Sequence, residues 1–134
     1  MRARTGIRKA KERKAILSAG HNTALLRVRN ATLETAGYRV VTTKESKLLL
    51  ELAEKQDFHA VVLCSSMPAD LREGAVRELK KIKRDLPVVV LCHPQEESRF
   101  EDLADAIVPA QHGTSQPLIE AISKYTGERQ SGPT

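Results

Sequence analysis

The stretch Phe58-His59-Ala60-Val61-Val62-Leu63-Cys64-Ser65-Ser66-Met67-Pro68 decides the fold of this chain. Its apolar run contains two adjacent valines, shows no polar alternation, and stops abruptly at Cys64. Such a run predicts a strand over residues 59–64 that is buried on both faces, and it is too short to cross a membrane. In an open parallel sheet, ligands and chemistry gather beyond the carboxyl ends of the strands. Cys64, at that end, is therefore the first candidate site residue.

The composition is that of a soluble globular protein with one domain. The chain has 134 residues, of which 40% are hydrophobic and 29% are charged, and this length allows a sizeable core. No apolar stretch near the amino terminus resembles a signal peptide, so we expect a cytoplasmic protein without membrane contact. In a reducing compartment, Cys64 and Cys92 are expected to be buried free thiols.

The positive net charge comes from the amino terminus. Residues 1–14 hold seven basic residues and one acidic residue, whereas the other 120 residues hold 15 basic and 16 acidic residues. We therefore expect a basic, disordered arm at 1–13, a folded domain at 14–127 and a disordered tail at 128–134. Contact of the arm with nucleic acid stays open. The arm has no aromatic residue, which argues against a stacking platform for single strands.

Apolar strands alternate strictly with helical patterns along the chain. Besides the central strand, strands are predicted at 14–19, 38–41, 88–92 and 106–108, each followed by a helical segment. Strict alternation with short connections predicts a parallel sheet with helices on both faces and right-handed crossovers. We find no repeat and no second domain.

Local signals place the first two helices. Asn22 or Thr23 can cap a helix that runs to Ala36, and Gly37 provides its left-handed stop. The apolar row expected to face the core consists of Leu25, Val28, Thr32 and Ala36. The second helix is expected to open with a capping box, since Thr42 precedes Glu45 by three residues.

The third helix has the clearest periodicity. Its expected core row is Leu71, Ala75, Leu79, Ile82 and Leu86, and its basic residues, Arg72 among them, are expected on the outer face. Pro87 ends this helix. A short helix around Glu96–Leu103 and a last helix that stops at Gly127 complete the pattern.

The chain resembles the receiver domains of two-component response regulators over about residues 14–126. The resemblance rests on the β-α order, on Leu33-Glu34-Thr35-Ala36-Gly37-Tyr38 at the end of the first helix, on Met67-Pro68 after the third strand, and on Ala104-Asp105-Ala106. It implies a flavodoxin-like, three-layer α/β/α fold with a five-stranded parallel sheet in the order 2-1-3-4-5.

The resemblance also implies which positions would carry phosphorylation chemistry. The acidic pair that holds Mg²⁺ would correspond to Gly20 and His21, the phosphoacceptor Asp to Cys64, and the phosphoryl-sensing Thr or Ser to Cys92. The Lys that closes the fifth strand would fall between Val108 and Gln111, yet no Lys occurs between Lys83 and Lys124. Because Mg²⁺ needs oxygen ligands and an acyl phosphate needs a carboxylate, we expect a pseudo-receiver without phosphorylation.

Two functions follow from this pattern. The favoured one is a stand-alone signalling module of the phosphorelay class that is not an enzyme, needs no cofactor and binds a protein partner. The resemblance implies that the partner would dock on the surface formed by the fourth strand, the fifth strand and the last helix. A homodimer is a further possibility. The alternative is a thiol-redox or metal sensor that uses Cys64 and Cys92 together with His21 and His93. No metal site is assigned, since the chain has no C-x-x-C or H-x-x-x-H spacing.

Overall fold

A computed structural model describes residues 13–110 and 115–127, in which strands and helices alternate. The predicted arm, apart from Arg13, and the predicted tail lie outside the described residues, as does the candidate position Gln111. The elements are β1 (Ala15–Ala19), α1 (Thr23–Thr35), β2 (Arg39–Thr43), α2 (Ser46–Lys55), β3 (Ala60–Leu63), α3 (Ala69–Ile82), β4 (Val88–Cys92), a 3₁₀ turn (Pro94–Glu96), α4 (Glu97–Phe100), β5 (Ala106–Pro109) and α5 (Ser115–Thr126). No helix in these ranges is long and apolar enough to span a bilayer.

The predicted sheet is confirmed. Its five strands are all parallel and lie in the order β2-β1-β3-β4-β5. Leu63 in β3 pairs with Ala19 in β1 and with Val90 in β4. Every residue of β1, β3 and β4 is buried, as expected for central strands that are covered on both faces.

Two apolar clusters hold the helices against the sheet. One cluster packs α2, α3 and Phe100 on the face that carries Leu17, Leu63 and Val90. The other packs α1 and α5 on the opposite face, against Ile16, Val62 and Leu91. The pattern follows from the alternation of side chains along each strand, which sends neighbouring residues to opposite faces.

The predicted start of α1 and the predicted ends of α1 and α5 are confirmed. The Asn22 side chain caps α1 by accepting a hydrogen bond from the Leu25 N–H at 3.0 Å. Gly37 and Gly127 have φ of 105° and 82°, the left-handed conformation that ends a helix without the steric cost of a Cβ.

The predicted capping box of α2 is wrong. Its N-cap is Glu45, which makes no side-chain capping bond. The Thr43 hydroxyl accepts a hydrogen bond from the Glu45 N–H at 3.1 Å. The chain therefore forms a local turn before α2 and leaves Thr42 exposed, because a short hydroxyl side chain can bond the backbone two residues on.

The predicted inner row of α1 is also wrong. Leu26 and Leu33 are the buried residues, whereas Leu25 is partly exposed and Val28 is 64% exposed. Residues 26 and 33 lie two turns apart on one side of a helix. This row is selected because Leu26 contacts the end of the sheet near Gly20.

In α3 the predicted helical phase is wrong by one position at its first turn. Arg72 is 1% exposed, whereas Leu71 is 43% exposed. The buried residues are Arg72, Ala75, Val76 and Leu79, and Ile82 is only partly buried. The helix ends at Ile82 rather than at Leu86, which is buried in the following turn. Arg72 is turned inward because polar groups beneath it accept its hydrogen bonds.

Candidate functional site

The positions singled out in the sequence meet at the carboxyl edge of the sheet. Gly20 follows β1, Cys64 follows β3, and Cys92 is the last residue of β4. The backbone N–H of Cys64 donates to the Ala19 carbonyl at 2.8 Å, so the β1–β3 ladder continues to this residue. This edge is where an α/β sheet of this kind carries its ligands and chemistry.

Gly20 and Cys64 are packed too closely for a side chain at position 20. A Cβ added to Gly20 would lie 2.7 Å from the Cys64 Cβ, 3.0 Å from the Ser66 Oγ and 3.2 Å from a Leu26 methyl group. Real Cβ atoms essentially never approach a neighbour as closely as 2.7 Å. Glycine is therefore required by this packing, and the space where an acidic side chain would begin is filled.

Ser66, which sequence reasoning did not select, bonds the backbone that leads into α1. Its hydroxyl oxygen accepts hydrogen bonds from the N–H groups of His21 at 2.9 Å and Asn22 at 3.0 Å. Backbone N–H groups before a helix commonly bind anions. Here the serine satisfies two of them. A hydroxyl residue three positions after a buried strand was the signal that could have identified it.

The Arg72 side chain donates hydrogen bonds to several segments at the carboxyl ends of β3 and β4. Its Nε donates to the Met67 carbonyl at 2.9 Å, and its Nη1 donates to the Leu91 carbonyl at 2.7 Å. Its Nη2 donates to both carboxylate oxygens of Glu96 at 2.9 and 3.0 Å. The guanidinium thereby joins the β3–α3 loop, the end of β4 and the 3₁₀ turn through one buried charge.

The contacts of Arg72 explain the electrostatics of Glu96. Burial by itself would raise the pKa of Glu96, but hydrogen bonds from Arg72 and from the His93 backbone outweigh it and place the pKa below its usual range. The Arg72 guanidinium also lies 5.3 Å from the centroid of the Phe100 ring, a cation–π contact. Glu96 and Phe100 therefore both stabilise the inward position of Arg72.

Cys92 lies next to this ion pair and is fully buried. Its Sγ is 3.9 Å from the Arg72 Nη1. Burial raises the pKa of Cys92 to about 11, although the nearby Arg72 charge opposes that rise. Because the thiolate is the reactive form, a raised pKa disfavours reaction at neutral pH.

The two cysteines are free and pack against different neighbours. Cys92 belongs to the cluster that contains Leu63 and Val90. Cys64 comes one residue after Leu63 and contacts the Gly20 and Leu26 side instead. Both thiols are buried, whereas His21 and His93 are exposed. Within residues 13–110 and 115–127, no three His, Cys, Asp or Glu side chains are arranged to hold a metal ion.

The end of β5 is described only in part. Val108 is buried and Pro109 is exposed, and the Ala110 N–H donates to the Cys92 carbonyl at 2.9 Å. The structure therefore brings the ends of β1, β3, β4 and β5 to one edge, as the topology predicts. Gln111, the last candidate position, lies outside the described residues.

Comparison with known proteins identifies the fold. No protein-family model and no curated protein matches this chain. Among solved structures, a response regulator receiver protein from Sinorhizobium medicae is 25% identical, with a TM-score of 0.74 over 90% of this chain and 99% of the other.

Two further structures agree with that match. The receiver domain of a sensor histidine kinase from Pseudomonas aeruginosa, with magnesium in its active site cleft, is 19% identical, with a TM-score of 0.74 over 87% of this chain and 99% of the other. The response regulator TrrA from Thermotoga maritima, in complex with Mg²⁺-BeF, is 21% identical, with a TM-score of 0.76 over 84% of this chain and 98% of the other. This chain therefore has the flavodoxin-like fold of response-regulator receiver domains.

Proposed function

We propose that this chain is a pseudo-receiver, a signalling module with the receiver fold that lacks the phosphorylation site and acts through protein–protein contacts. The observation that carries the proposal is the Ser66 hydroxyl, which accepts the His21 and Asn22 N–H groups at the edge of the sheet. These two N–H groups, which could otherwise bind an incoming anion, already have an internal partner.

The residue types at this edge support the same proposal. No Asp or Glu occurs between Glu12 and Glu34, so the segment after β1 has no carboxylate for Mg²⁺. Cys64 stands at the end of β3, where the resemblance places the phosphoacceptor. A thiol at that position cannot form the acyl phosphate that a carboxylate forms.

Packing adds a second barrier. Restoring an acidic residue at position 20 would force its Cβ against Cys64 and Ser66. Arg72 of α3 makes five hydrogen bonds to oxygen or sulfur acceptors, one in the β3–α3 loop, two in β4 and two at Glu96. In this proposal the carboxyl edge of the sheet has a structural role, and signalling depends on the outer surfaces of the domain.

The docking face remains part of the proposal. The resemblance favours the surface formed by β4, β5 and α5. On this surface Tyr125 is partly exposed, and its hydroxyl donates to the Asp105 carbonyl at 2.6 Å, which ties α5 to the start of β5. Aromatic residues with a polar end are typical of protein interfaces.

Incubation with acetyl phosphate and Mg²⁺ tests the proposal directly. The intact mass should show no added phosphoryl group, while an active receiver domain treated in parallel should show one. A stoichiometric adduct that hydrolyses as an acyl phosphate would overturn the proposal. Peptide mass mapping of such an adduct to a carboxylate would identify the acceptor residue.

A further inference from the structure

A groove opens at the carboxyl end of the edge strand β2. It has a volume of about 510 Å³ and lies between the first turns of α1 and α2. Leu26 and Leu48 supply apolar walls, and Leu48 is 40% exposed. The groove is therefore large enough to receive side chains from another molecule.

The rim of this groove is basic. Arg27 and Lys44 line it, and Glu45 is the acidic residue among its lining. The Lys44 Nζ donates to the Thr23 hydroxyl at 2.9 Å, and no carboxylate among the described residues pairs with Arg27 or Lys44. Residues 13–48 as a whole contain seven basic and two acidic residues. Arg27 and Lys44 are therefore available to an acidic partner.

The complementary surface lies at the other edge of the same sheet. Residues 94–105, which connect β4 to the edge strand β5, contain five acidic residues and one basic residue. The basic residue, Arg99, pairs with Asp70 and Glu73 of α3. Glu101 and Asp102 are exposed, and no cation among the described residues pairs with them. This acidic turn is followed by Leu103, which is partly buried.

We propose that the chain self-associates head to tail, with the basic groove of one copy receiving the Glu101–Asp102 turn of the next. The two surfaces are oppositely charged and lie at opposite edges of the sheet, so they favour a heterologous contact that can repeat. The apolar walls of the groove partly shield the ion pairs from solvent, and this strengthens them. The proposal goes beyond the proposed function and holds whether or not the chain can be phosphorylated.

Other occupants fit the groove less well. A nucleic acid would meet the same cations, but the groove has no aromatic side chain on which a base could stack. The exposed acidic turn of the chain itself supplies carboxylates, which match the basic rim. A second copy therefore supplies the charges that the rim of the groove lacks.

Sedimentation velocity over a concentration series tests the assembly. At about 0.01 M salt, where the Debye length is about 30 Å, the full chain should form species larger than the monomer. At about 1 M salt, where that length is about 3 Å, it should be monomeric. A chain that is monomeric at both salt concentrations, or an assembly that salt does not dissociate, would overturn the proposal.

Neutralising variants make the test specific. Arg27→Gln with Lys44→Gln removes the groove charges, and Glu101→Gln with Asp102→Asn removes the charges of the turn. Each double variant should raise the apparent dissociation constant by roughly tenfold. In an equimolar mixture of the two variants, assembly should stop at a 1:1 dimer. Only the groove of one variant and the turn of the other remain charged, so each mixed pair can make one contact. Continued growth of the mixture would contradict the head-to-tail contact.

Two controls separate this contact from general charge effects. Arg77→Gln with Arg84→Gln removes the same net charge from exposed positions around α3 and should leave the assembly unchanged. Nuclease treatment should also leave it unchanged. Loss of the assembly in either control would overturn the proposal, since it would indicate a dependence on total charge or bridging by nucleic acid.

Discussion

Two regions at the carboxyl edge of the same sheet differ in how their polar groups are used. At the ends of β3 and β4, Ser66 and Arg72 bond internal N–H, carbonyl and carboxylate groups. At the end of β2, Arg27 and Lys44 line an open groove without a described carboxylate partner. The comparison shows that polar groups at one part of this edge are paired within the chain, whereas Arg27 and Lys44, at another part, are exposed.

We call the region at the ends of β3 and β4 the closed region, because its polar groups bond one another. The largest loss of stability is expected from Arg72→Met. The change leaves Glu96 without its cation and leaves the Met67 and Leu91 carbonyls without a donor. Removing one partner of a buried ion pair costs roughly 3–5 kcal/mol. Urea unfolding should show this loss of free energy. Arg77→Met, at an exposed position of the same helix, should change stability by less than about 0.5 kcal/mol.

The next effect concerns the helix that carries Arg72. Leu79 is fully buried and Leu71 is exposed, so Leu79→Ala should cost roughly 2–5 kcal/mol. Leu71→Ala should cost less than about 1 kcal/mol, because a surface side chain loses few contacts. The same unfolding assay measures both. Equal losses would show that the helix has the phase expected from the sequence rather than the observed one.

A smaller effect is expected from Ser66→Ala. The His21 and Asn22 N–H groups would lose their shared acceptor. At roughly 0.5–1.5 kcal/mol for each hydrogen bond, the loss should be about 1–3 kcal/mol. Ser65→Ala is the matched control, since Ser65 is partly buried and makes no hydrogen bond with another described residue. If Ser66→Ala proved as harmless as the control, the N–H groups would be solvated and this region would not be closed.

The smallest effect is expected from thiol reagents added to the native protein. Cys64 and Cys92 are 1% and 0% exposed, and the pKa of Cys92 is raised to about 11. Labelling at neutral pH should be slow for both, and the Cys92 rate should rise as the pH approaches that value. In denaturant both thiols should react quickly. Rapid native labelling, or zinc that copurifies at one equivalent, would instead favour the sensor hypothesis and make the closed region a functional site.

The sequence by itself determined the class of fold and the residue types that follow the strands. Continuous apolar runs separated by helical periods predict a parallel sheet with helices on both faces. The strand order, which only the receiver resemblance implied, is confirmed as well. The cap at Asn22 and the stop at Gly37 were also readable because they depend on neighbours within four residues. The lack of a carboxylate between Glu12 and Glu34, and of a lysine between Lys83 and Lys124, needed no structure, since both are read from the sequence.

The tertiary structure alone decided which of two adjacent positions in a helix faces inward. In α3 a leucine and an arginine lie side by side, and the arginine is buried because Met67, Leu91 and Glu96 provide acceptors from distant parts of the chain. The same holds for Ser66, whose partners are 44 and 45 residues away, and for the groove, whose walls come from three elements. The hydrophobic period of a helix predicts which side faces the core only to within about one residue. Hydrogen-bond partners far apart in the sequence determine which residue is buried, because a buried polar group is stable only where its hydrogen bonds are completed.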